Sequence, residues 1–322
     1  MKNYVSFSIL FFACIMVCAQ QKVGKETIGG WIKYNSNPVL GGSFGTIFDV
    51  SVLKKKDEYI MYCSWRPKRS IAISESKDGF HWSDPVIVLA PDTSTKWEDE
   101  VNRPVVIEHD GVYHMWYTGQ KGGDGNNGTS AIGYATSNDG KKWRRMSTEP
   151  VLIPQAKWEK TSLMCPHVIW DDQDKIYKMW YSGGEQYEPD AIGYATSKDG
   201  MRWEKYPANP VFANDSSNSW EQAKVTACQV IKDEKGYLMF YIGFHNVDYA
   251  QIGIARSVDG IHNWKRNPGN PIIKPGTEWD SSAVYKPFAI FDGKKWMLWY
   301  NGRRNNKEQI GVALHEGKDL GF

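Results

Sequence analysis

"ATSNDGKKW", Ala135 to Trp143, is the stretch that decides the fold, because the chain repeats it as "ATSKDGMRW", Ala195 to Trp203. Looser copies are "SESKDGFHW" at Ser74 to Trp82 and "ARSVDGIHNW" at Ala255 to Trp264. The aspartates of the four copies recur at intervals of 61, 60 and 60 residues: Asp78, Asp139, Asp199 and Asp259. A fixed period of this size indicates that the chain stacks copies of one supersecondary unit.

One unit runs from "RPVVIEHDGVYHMWYTG", Arg103 to Gly119, to "AIGYATSNDGKKWRRM", Ala131 to Met146. Its β-rich runs alternate with Asp-Gly turns, which favour hairpins because Gly accepts the positive φ that such turns need. The pattern predicts four antiparallel strands in each unit. The repeated turn resembles a shortened form of the Asp-box turn of sialidases, which is structural, and we therefore expect a structural role for its four aspartates.

Openings of a first strand occur five times: "FDVSVLKK", "NRPVVIEH", "MCPHVIWD", "TACQVIKD" and "YKPFAIFD". The fifth unit stops without the Trp and the Asn-Pro-Val that end the others. The missing strand is at the N-terminus, where Trp31 precedes Pro38 by the spacing found in the repeats: Trp143 to Pro150, Trp203 to Pro210 and Trp264 to Pro271. We therefore predict an all-β fold, a five-bladed β-propeller formed by residues 20–322 as one domain. The N-terminal strand completes the fifth blade, so that no blade edge stays unpaired.

The first residues, "MKNYVSFSILFFACIMVCAQ", have the composition of a secretory leader. Lys2 precedes an apolar run from Val5 to Val17, and small residues favour cleavage after Ala19. We expect residues 1–19 to be a signal peptide and the protein to be secreted or periplasmic. Lipidation of Cys18 is the less favoured alternative. No other stretch approaches the roughly 20 apolar residues of a membrane span, and we expect no transmembrane segment in the mature chain.

The charge balance excludes some classes of partner. Lys and Arg number 39 against 37 Asp and Glu, so no basic excess indicates binding to nucleic acid. Cys63, Cys165 and Cys228 are the cysteines after the leader, an odd number without a close pair, so no disulfide framework is predicted. We find no metal-ligand cluster and no phosphate-binding loop in a strand-to-helix context. We predict neither a metal nor a cofactor, and the sequence leaves the oligomeric state open.

Long polar loops should share one rim of the ring, opposite the tight turns, and binding residues concentrate on such loops. The loops are 65–70, 120–130, 184–190, 244–250 and 303–309. The chain resembles the five-bladed β-propeller glycosidases, the arabinanase, levansucrase and invertase superfamily that includes glycoside hydrolase families 43 and 32. The resemblance rests on the five units, on "MWYTG", "IGYATS" and "NPV", and on "FDVSVLKKKDEYIMY", which is similar to the first-blade "DPSV" segment of those families.

The resemblance implies a carboxylate base or nucleophile in the first blade, a second Asp and a Glu acid. Asp49 matches the first, whereas the other two positions fall at Cys165 and near Thr226. Glycoside hydrolysis usually needs two carboxyls, so an acid must come from elsewhere. Our first choice is Glu185, which follows a second strand directly, and Glu100 is another candidate. Glu188 and Asp248 are further loop carboxylates, whereas carboxylates that repeatedly follow a Trp are expected to belong to the scaffold: Glu98, Glu159, Glu221 and Asp280.

Residues that differ between blades at the channel mouth are the candidates for binding substrate: Arg66, Arg69, Asn102, Arg103, His167, Gln229, His245, Tyr285, Lys286 and Arg303. Several are cationic, and Arg binds carboxylate or sulfate through paired N–H bonds. This local charge predicts an anionic group on the sugar, or inorganic phosphate. The alternative is that the arginines pair with Glu308, Asp99 or Glu100.

We therefore expect a secreted glycoside hydrolase that acts on a polysaccharide or oligosaccharide, furanosidase-like or a related exo-acting enzyme. One alternative is a mannoside phosphorylase or hydrolase like those of glycoside hydrolase family 130. The other is a glycan-binding propeller without catalysis, which the missing carboxyls at Cys165 and Thr226 would explain.

Overall fold

The computed structural model describes residues 29–122, 128–186 and 189–322, and the predicted leader and Glu188 lie outside them. The all-β prediction is confirmed, since these residues form strands and short 3-10 turns and no α-helix. The 3-10 turns are Gly42–Phe44, Arg66–Lys68, Thr93–Thr95 and Lys157–Glu159. No helix in these three ranges is long and apolar enough to cross a membrane.

The strands, in chain order, are β1 (Trp31–Lys33), β2 (Ile47–Lys54), β3 (Tyr59–Trp65), β4 (Ser70–Ser76), β5 (Val86–Leu89), β6 (Glu100–His109), β7 (Val112–Lys121), β8 (Thr129–Ser137), β9 (Arg144–Arg145), β10 (Ser162–Asp171), β11 (Ile176–Gly184), β12 (Pro189–Ser197), β13 (Glu204–Lys205), β14 (Lys224–Asp233), β15 (Gly236–Asn246), β16 (Tyr249–Ser257), β17 (Lys265–Arg266), β18 (Ala283–Phe291), β19 (Lys295–Arg304) and β20 (Lys307–Glu316).

The strands form antiparallel units of four. β2–β5 and β14–β17 are separate four-stranded sheets, and β6–β9 and β10–β13 form one eight-stranded sheet because Ser162 and Ser130 make a parallel pair between them. The first strands of the units, which are β2, β6, β10, β14 and β18, contact one another in that order, and β18 also contacts β2. The start of each unit therefore lies at the centre of the molecule.

The N-terminal strand joins the last sheet, whose order is β1-β20-β19-β18. Trp31 pairs with His315, and Leu40 forms a further antiparallel bridge with Ile310. Asn37 donates its side-chain amide to the carbonyl of Val312 and accepts the Val312 N–H, both at 2.9 Å. The two ends of the chain thus complete one four-stranded sheet.

The repeated Asp turn is held by the same hydrogen bonds in each copy. Asp139 Oδ1 accepts the N–H groups of Lys141 and Lys142 at 2.8 and 2.7 Å, and the hydroxyl of Ser137 at 2.9 Å. These bonds lower the pKa of Asp139 to about 2. The carbonyl of Gly140 accepts the Tyr62 hydroxyl from the preceding unit at 2.8 Å. Each turn therefore shapes its own hairpin and also helps to join two units.

The carboxylates that follow a Trp are buried and each faces a cation and a tyrosine hydroxyl. Glu98, for example, lies 2.6 Å from Arg145 and accepts the Tyr117 hydroxyl at 3.0 Å. The other pairs with a cation are Glu159 with Lys205, Glu221 with Arg266 and Asp280 with Lys33. Because these contacts repeat at equivalent places, each within one unit, they belong to the scaffold.

Candidate active site

The first strand of every unit has an irregularity at the same place. Between Phe48 and Ser51, for instance, β2 advances three residues while its partner β3 advances two, which is the geometry of a β-bulge. At each of these sites one residue other than glycine has a positive φ: Asp49 (58°), Arg103 (52°), Cys165 (51°), Ala227 (37°) and Lys286 (52°). The scaffold thus presents five equivalent positions near the centre, each with a different side chain.

Hydrogen bonds between neighbouring units hold most of these bulges. The N–H of a bulge residue donates to a side chain on the second strand of the preceding unit: Asp49 to Asn301 (3.0 Å), Arg103 to Ser64 (2.8 Å), Cys165 to Thr118 (3.1 Å) and Ala227 to Ser182 (2.8 Å). Ile242 occupies the corresponding place before Lys286, and its side chain offers no acceptor. The backbone geometry is therefore secured independently of the side chain that each bulge carries.

A cavity of about 480 Å³ opens at these bulges. The described residues that line it are Phe48, Asp49, Arg66, Glu100, Arg103, Gln120, Cys165, Gln186, Pro189, Thr226, Ala227, Ile242, Tyr285, Lys286, Arg303, Asn306 and Glu308. Seven of the residues singled out in the sequence therefore lie at one cavity: Asp49, Glu100, Arg66, Arg103, Tyr285, Lys286 and Arg303. Within the described ranges no group of three or more His, Cys, Asp or Glu is arranged to hold a metal ion.

Asp49 is buried at the base of the cavity and is held by polar contacts. Its Oδ2 accepts the Ser64 hydroxyl at 3.0 Å, and the same oxygen lies 4.0 Å from Arg103 Nε. Ser64 Oγ in turn accepts the Arg103 N–H. The carboxylate is thus contacted by a hydroxyl of its own unit and by a guanidinium of the next unit.

Glu308 is a second carboxyl of the cavity, which sequence reasoning treated only as an ion-pair partner. It is the second residue of β20, is 7% exposed, and accepts the Tyr285 hydroxyl on Oε1. Its Oε2 lies 3.4 Å from Arg66 Nη2. Burial raises the pKa of Glu308 above its usual range and the negative charge of Asp49 adds to the rise, whereas Arg66 and the Tyr285 hydroxyl oppose it. The position of Glu308 in a long loop of the predicted rim is the only sequence signal that could have indicated it.

Glu100 forms a third acidic position, on the side of the second unit. Its Oε1 accepts the side-chain amide of Asn102 at 3.0 Å, and that amide also contacts Gln120. Asn102 is buried behind the cavity surface, where its Oδ1 accepts a hydrogen bond from Arg103 Nη1 at 2.9 Å. Asn102 thus positions cavity residues and is not itself part of the lining.

The predicted acid Glu185 is not among the lining residues. Its carboxylate is half exposed and pairs at 3.1 Å with Lys160, which also lies 2.6 Å from Asp190. This ion pair holds Glu185 outside the cavity. A local pattern of loop and strand cannot show this, because the pairing depends on residues 25 positions apart.

His167 and Gln229 are buried but face the scaffold. His167 Nε2 lies 2.9 Å from the carbonyl of Val230, and burial lowers the pKa of this imidazole to about 4. Gln229 donates to the carbonyl of Ala289 at 2.9 Å and accepts the N–H of the same residue at 2.6 Å. Both side chains therefore join neighbouring first strands, which explains why they are polar and why they do not line the cavity.

Arg69 and His245 are exposed on the rim and are also absent from the lining. His245 Nδ1 lies 2.7 Å from the Ser219 carbonyl, and Arg69 offers its own carbonyl to the Val101 N–H at 3.0 Å. The positions at which the resemblance placed two further carboxylates, Cys165 and Thr226, do line the cavity. Neither carries a carboxyl, so the acidic groups of this cavity come from other strands.

Several comparisons relate the chain to known proteins. The family model described as Glycosyl hydrolases family 43 matches residues 35–317. An uncharacterised protein of Mycobacterium tuberculosis is 31% identical over 198 residues, which are 58% of this chain and 62% of that protein. A 1,2-beta-oligomannan phosphorylase of Thermoanaerobacter sp. (strain X514) is 29% identical over 243 residues, 72% of this chain and 75% of the relative. A solved structure described as a glycoside hydrolase has a TM-score of 0.72 at 20% identity, with 92% of this chain and 93% of the other covered.

These comparisons differ in what they establish. The chain spans about 62% of the length of the first curated relative, and the solved structure shares the fold. The family match is the broadest in sequence, since it includes every strand from β2 to β20 together with the bulges and the cavity. The chain therefore belongs to glycosyl hydrolases family 43.

Proposed function

We propose that the protein is a glycoside hydrolase in which Asp49 is the base or nucleophile and Glu308 is the acid. The observation that carries this proposal is the presence of two carboxyls with different environments in one cavity. Asp49 accepts a hydroxyl and lies near a guanidinium, whereas burial raises the pKa of Glu308. Glycosidases use such a pair, with the protonated member donating to the leaving oxygen and the ionised member acting on the anomeric carbon or on water.

Glu308 fits the acid role better than Glu185 does. An acid that works near neutral pH must keep its proton there, and burial of Glu308 favours the protonated form. The hydroxyl of Tyr285 and the guanidinium of Arg66 hold its two oxygens in place. Glu100, which also lines the cavity, is the second candidate for this role.

The arrangement of the units supports a closed five-bladed propeller. Each of the five units has four antiparallel strands, the first strands contact one another in cyclic order, and β1 completes the unit of β18–β20. In such a ring the cavity lies at one mouth of the central channel. This is the place where propellers present residues from several blades to a ligand.

A furanosidase-like or related exo-acting activity remains our proposal for the reaction. A mannoside phosphorylase activity is the second candidate, and two observations favour it. One relative carries the name 1,2-beta-oligomannan phosphorylase, and four basic side chains line the cavity: Arg66, Arg103, Lys286 and Arg303. In that reaction phosphate replaces the water that attacks the sugar. A glycan-binding role without catalysis is less favoured, because Asp49 and Glu308 share the cavity.

The test is a screen of aryl glycosides and of polysaccharides, each with and without 10 mM inorganic phosphate. We expect turnover without phosphate for at least one substrate, and its loss in Asp49→Asn. Turnover that requires phosphate and yields a sugar phosphate would favour the phosphorylase. Binding of a glycan without turnover in either condition would contradict the enzyme proposal.

Export remains a proposal that rests on residues 1–19, which lie outside the described residues. It predicts a mature protein that begins at Gln20 in the periplasm or the medium. N-terminal sequencing of the mature protein tests it, and an intact leader on a cytoplasmic protein would contradict it.

A further inference from the structure

We propose that Lys286 binds a singly charged carboxylate of the sugar, so that the substrate contains a uronic acid. The inference rests on the proposed function for the identity of the cavity as a sugar site, and it adds a specific subsite between the fourth and fifth units. Lys286 is the bulge residue of β18 and lines the cavity together with Thr226 and Ala227 of β14.

The backbone conformation places Lys286 near the centre of the molecule. Its φ of 52° places it at the bulge position that Asp49 occupies in β2. The residue is only 6% exposed, although its side chain reaches the cavity surface. Lysine is rarely buried to this extent unless its ammonium is paired, so a lysine here is an exception that needs an explanation.

Among the described residues, no carboxylate supplies that pairing. Within residues 29–122, 128–186 and 189–322, no carboxylate lies within 4.0 Å of the Lys286 ammonium, and the ammonium donates no hydrogen bond. Burial lowers the pKa of His167, and the charge of Lys286 adds to this effect; burial raises the pKa of Cys228, and the charge of Lys286 opposes that rise. A buried charge without an opposite charge is unfavourable. A ligand that brings its own negative charge would remove this cost.

The other cations of the cavity are already engaged. Arg66 lies beside Glu308, Arg103 lies beside Asp49 and donates to Asn102, and Arg303 donates to the carbonyl of Asp248 at 2.7 Å. Four cations and three carboxyls line the cavity, so its formal charge is +1 when all three carboxyls are ionised and +2 when Glu308 keeps its proton. In either state the net positive charge favours an anionic ligand.

The neighbours of Lys286 leave room for such a group. Cys165, Ala227 and Ile242 line this side of the cavity and bring no carboxylate to it. The buried hydroxyl of Thr226, which has no hydrogen-bond partner among the described residues, can donate to a ligand oxygen. The subsite therefore combines one ammonium, one hydroxyl and apolar walls at the place where the resemblance would have put a catalytic carboxylate.

The experiment measures binding without turnover. Sodium D-glucuronate and sodium D-galacturonate are titrated calorimetrically into the wild type and into Lys286→Met, with glucose and galactose as the neutral probes. Loss of a charge-assisted contact should weaken binding of at least one uronate by about 10- to 100-fold and leave neutral sugars unchanged. Lys68→Met removes an exposed lysine from the rim and serves as the matched control, which should bind like the wild type.

A thermal unfolding measurement separates binding from folding. Because Lys286→Met removes a buried charge that no described carboxylate neutralises, its Tm without ligand should equal or exceed that of the wild type. Lys286→Gln is the second variant if the methionine is poorly accommodated. Equal uronate affinity in the wild type and in a folded variant would overturn the proposal. A Lys286-dependent response to sodium phosphate or sulfate, with none to either uronate, would also overturn it.

The two proposals fail separately. If no substrate is turned over but uronate binding depends on Lys286, the subsite stands and the hydrolase proposal fails. If turnover depends on Asp49 but Lys286→Met binds charged and neutral sugars with the wild-type affinities, the hydrolase proposal stands and the subsite proposal fails.

Discussion

Two sets of equivalent positions differ in how the chain uses its repeat. The turn positions carry the same residue in four units: Asp78, Asp139, Asp199 and Asp259. The bulge positions carry a different residue in each of the five units: Asp49, Arg103, Cys165, Ala227 and Lys286. Both sets have repeated backbone geometry, so the difference lies in the side chains. The side chain is constant where it makes the hydrogen bonds of the turn, and it varies where the position faces the cavity.

The physical reason is where the stabilising contacts come from. In the turn, the aspartate side chain itself accepts the backbone N–H groups, so replacing it removes the contacts. At the bulge, the backbone N–H donates to the neighbouring unit, and the side chain of the bulge residue takes no part. The bulge side chain is therefore free to vary, and five different groups can be gathered around one cavity.

The largest effect should come from removing the strand that completes the last unit. Deletion of Gly29 to Leu40 removes buried Trp31 and leaves Asp280 without Lys33, its partner at 2.7 Å. Breaking such a buried pair alone typically costs about 3–5 kcal/mol. We expect unfolding or association, because β20 would become an open edge. A monomer by light scattering with the wild-type Tm would contradict this expectation. It would also show that the turns and the bulges keep their geometry without β1.

Asp49→Asn should separate function from folding at a bulge. The amide keeps the shape and can still contact Ser64 but cannot act as a base or nucleophile, so kcat should fall by about 100-fold or more. The Tm should change little. The check is kcat on a substrate found by the screen, with the melting temperature measured alongside. Wild-type kcat would remove the only carboxylate that the family resemblance placed.

Glu308→Gln should lower kcat and change its pH dependence. The acid role requires a protonated Glu308, so the wild-type kcat/KM, which reports the free enzyme, should fall as pH rises through the raised pKa of this group. The variant should lose that alkaline limb. A variant that keeps the wild-type alkaline limb would show that another group, with Glu100 the first candidate, is the acid.

The same substitution has a defined effect on stability. Burial raises the pKa of Glu308 in the folded state above its unfolded value. Between these two values the native state binds more protons than the unfolded state, so its contribution to stability falls as pH rises. Glu308→Gln should therefore reduce the loss of stability with rising pH above the ordinary glutamate range. Urea unfolding of both proteins at several pH values measures the difference.

The smallest effect should come from a turn position. Asp139→Asn weakens the contacts with the N–H groups of Lys141 and Lys142 in one hairpin of the repeat. We expect a Tm lower by no more than a few degrees and unchanged kcat/KM. Because the pKa of Asp139 is lowered to about 2, the stabilisation is present above the ordinary aspartate pKa and is lost as pH falls toward 2. A large loss of activity in the folded variant would contradict the structural role.

Much of the fold followed from local patterns. The Asp-Gly turns, the alternation of apolar and polar residues, and the spacing of Trp31 to Pro38 depend on short-range geometry, and the structure contains the corresponding hairpins and the pairing of β1 with β20. Asp49, Arg103 and Lys286 also lie at the cavity. They could be found because each falls at the start of a first strand, which is readable from the repeat.

Two of the residues that the sequence wrongly placed at the cavity, His167 and Gln229, share a cause in the bulge. One extra residue in each first strand reverses which side chains face the centre, so alternation alone misplaces residues beyond it. His167 and Gln229 lie beyond the bulges of β10 and β14, and both turn to the neighbouring strand. Glu185 was chosen from its distance to a strand end, but its ion pair with Lys160 decides where it lies.

The sequence by itself determined the repeated hairpin, the all-β class and the position of Asp49, because these depend on turn chemistry and on a period that is visible along the chain. Tertiary structure alone decided that Glu308 shares the cavity with Asp49. The two residues are 259 positions apart in the sequence. They meet because β18, in the sheet that contains β20, packs against β2. Burial at that junction raises the pKa of Glu308, and no local pattern reports burial of this kind.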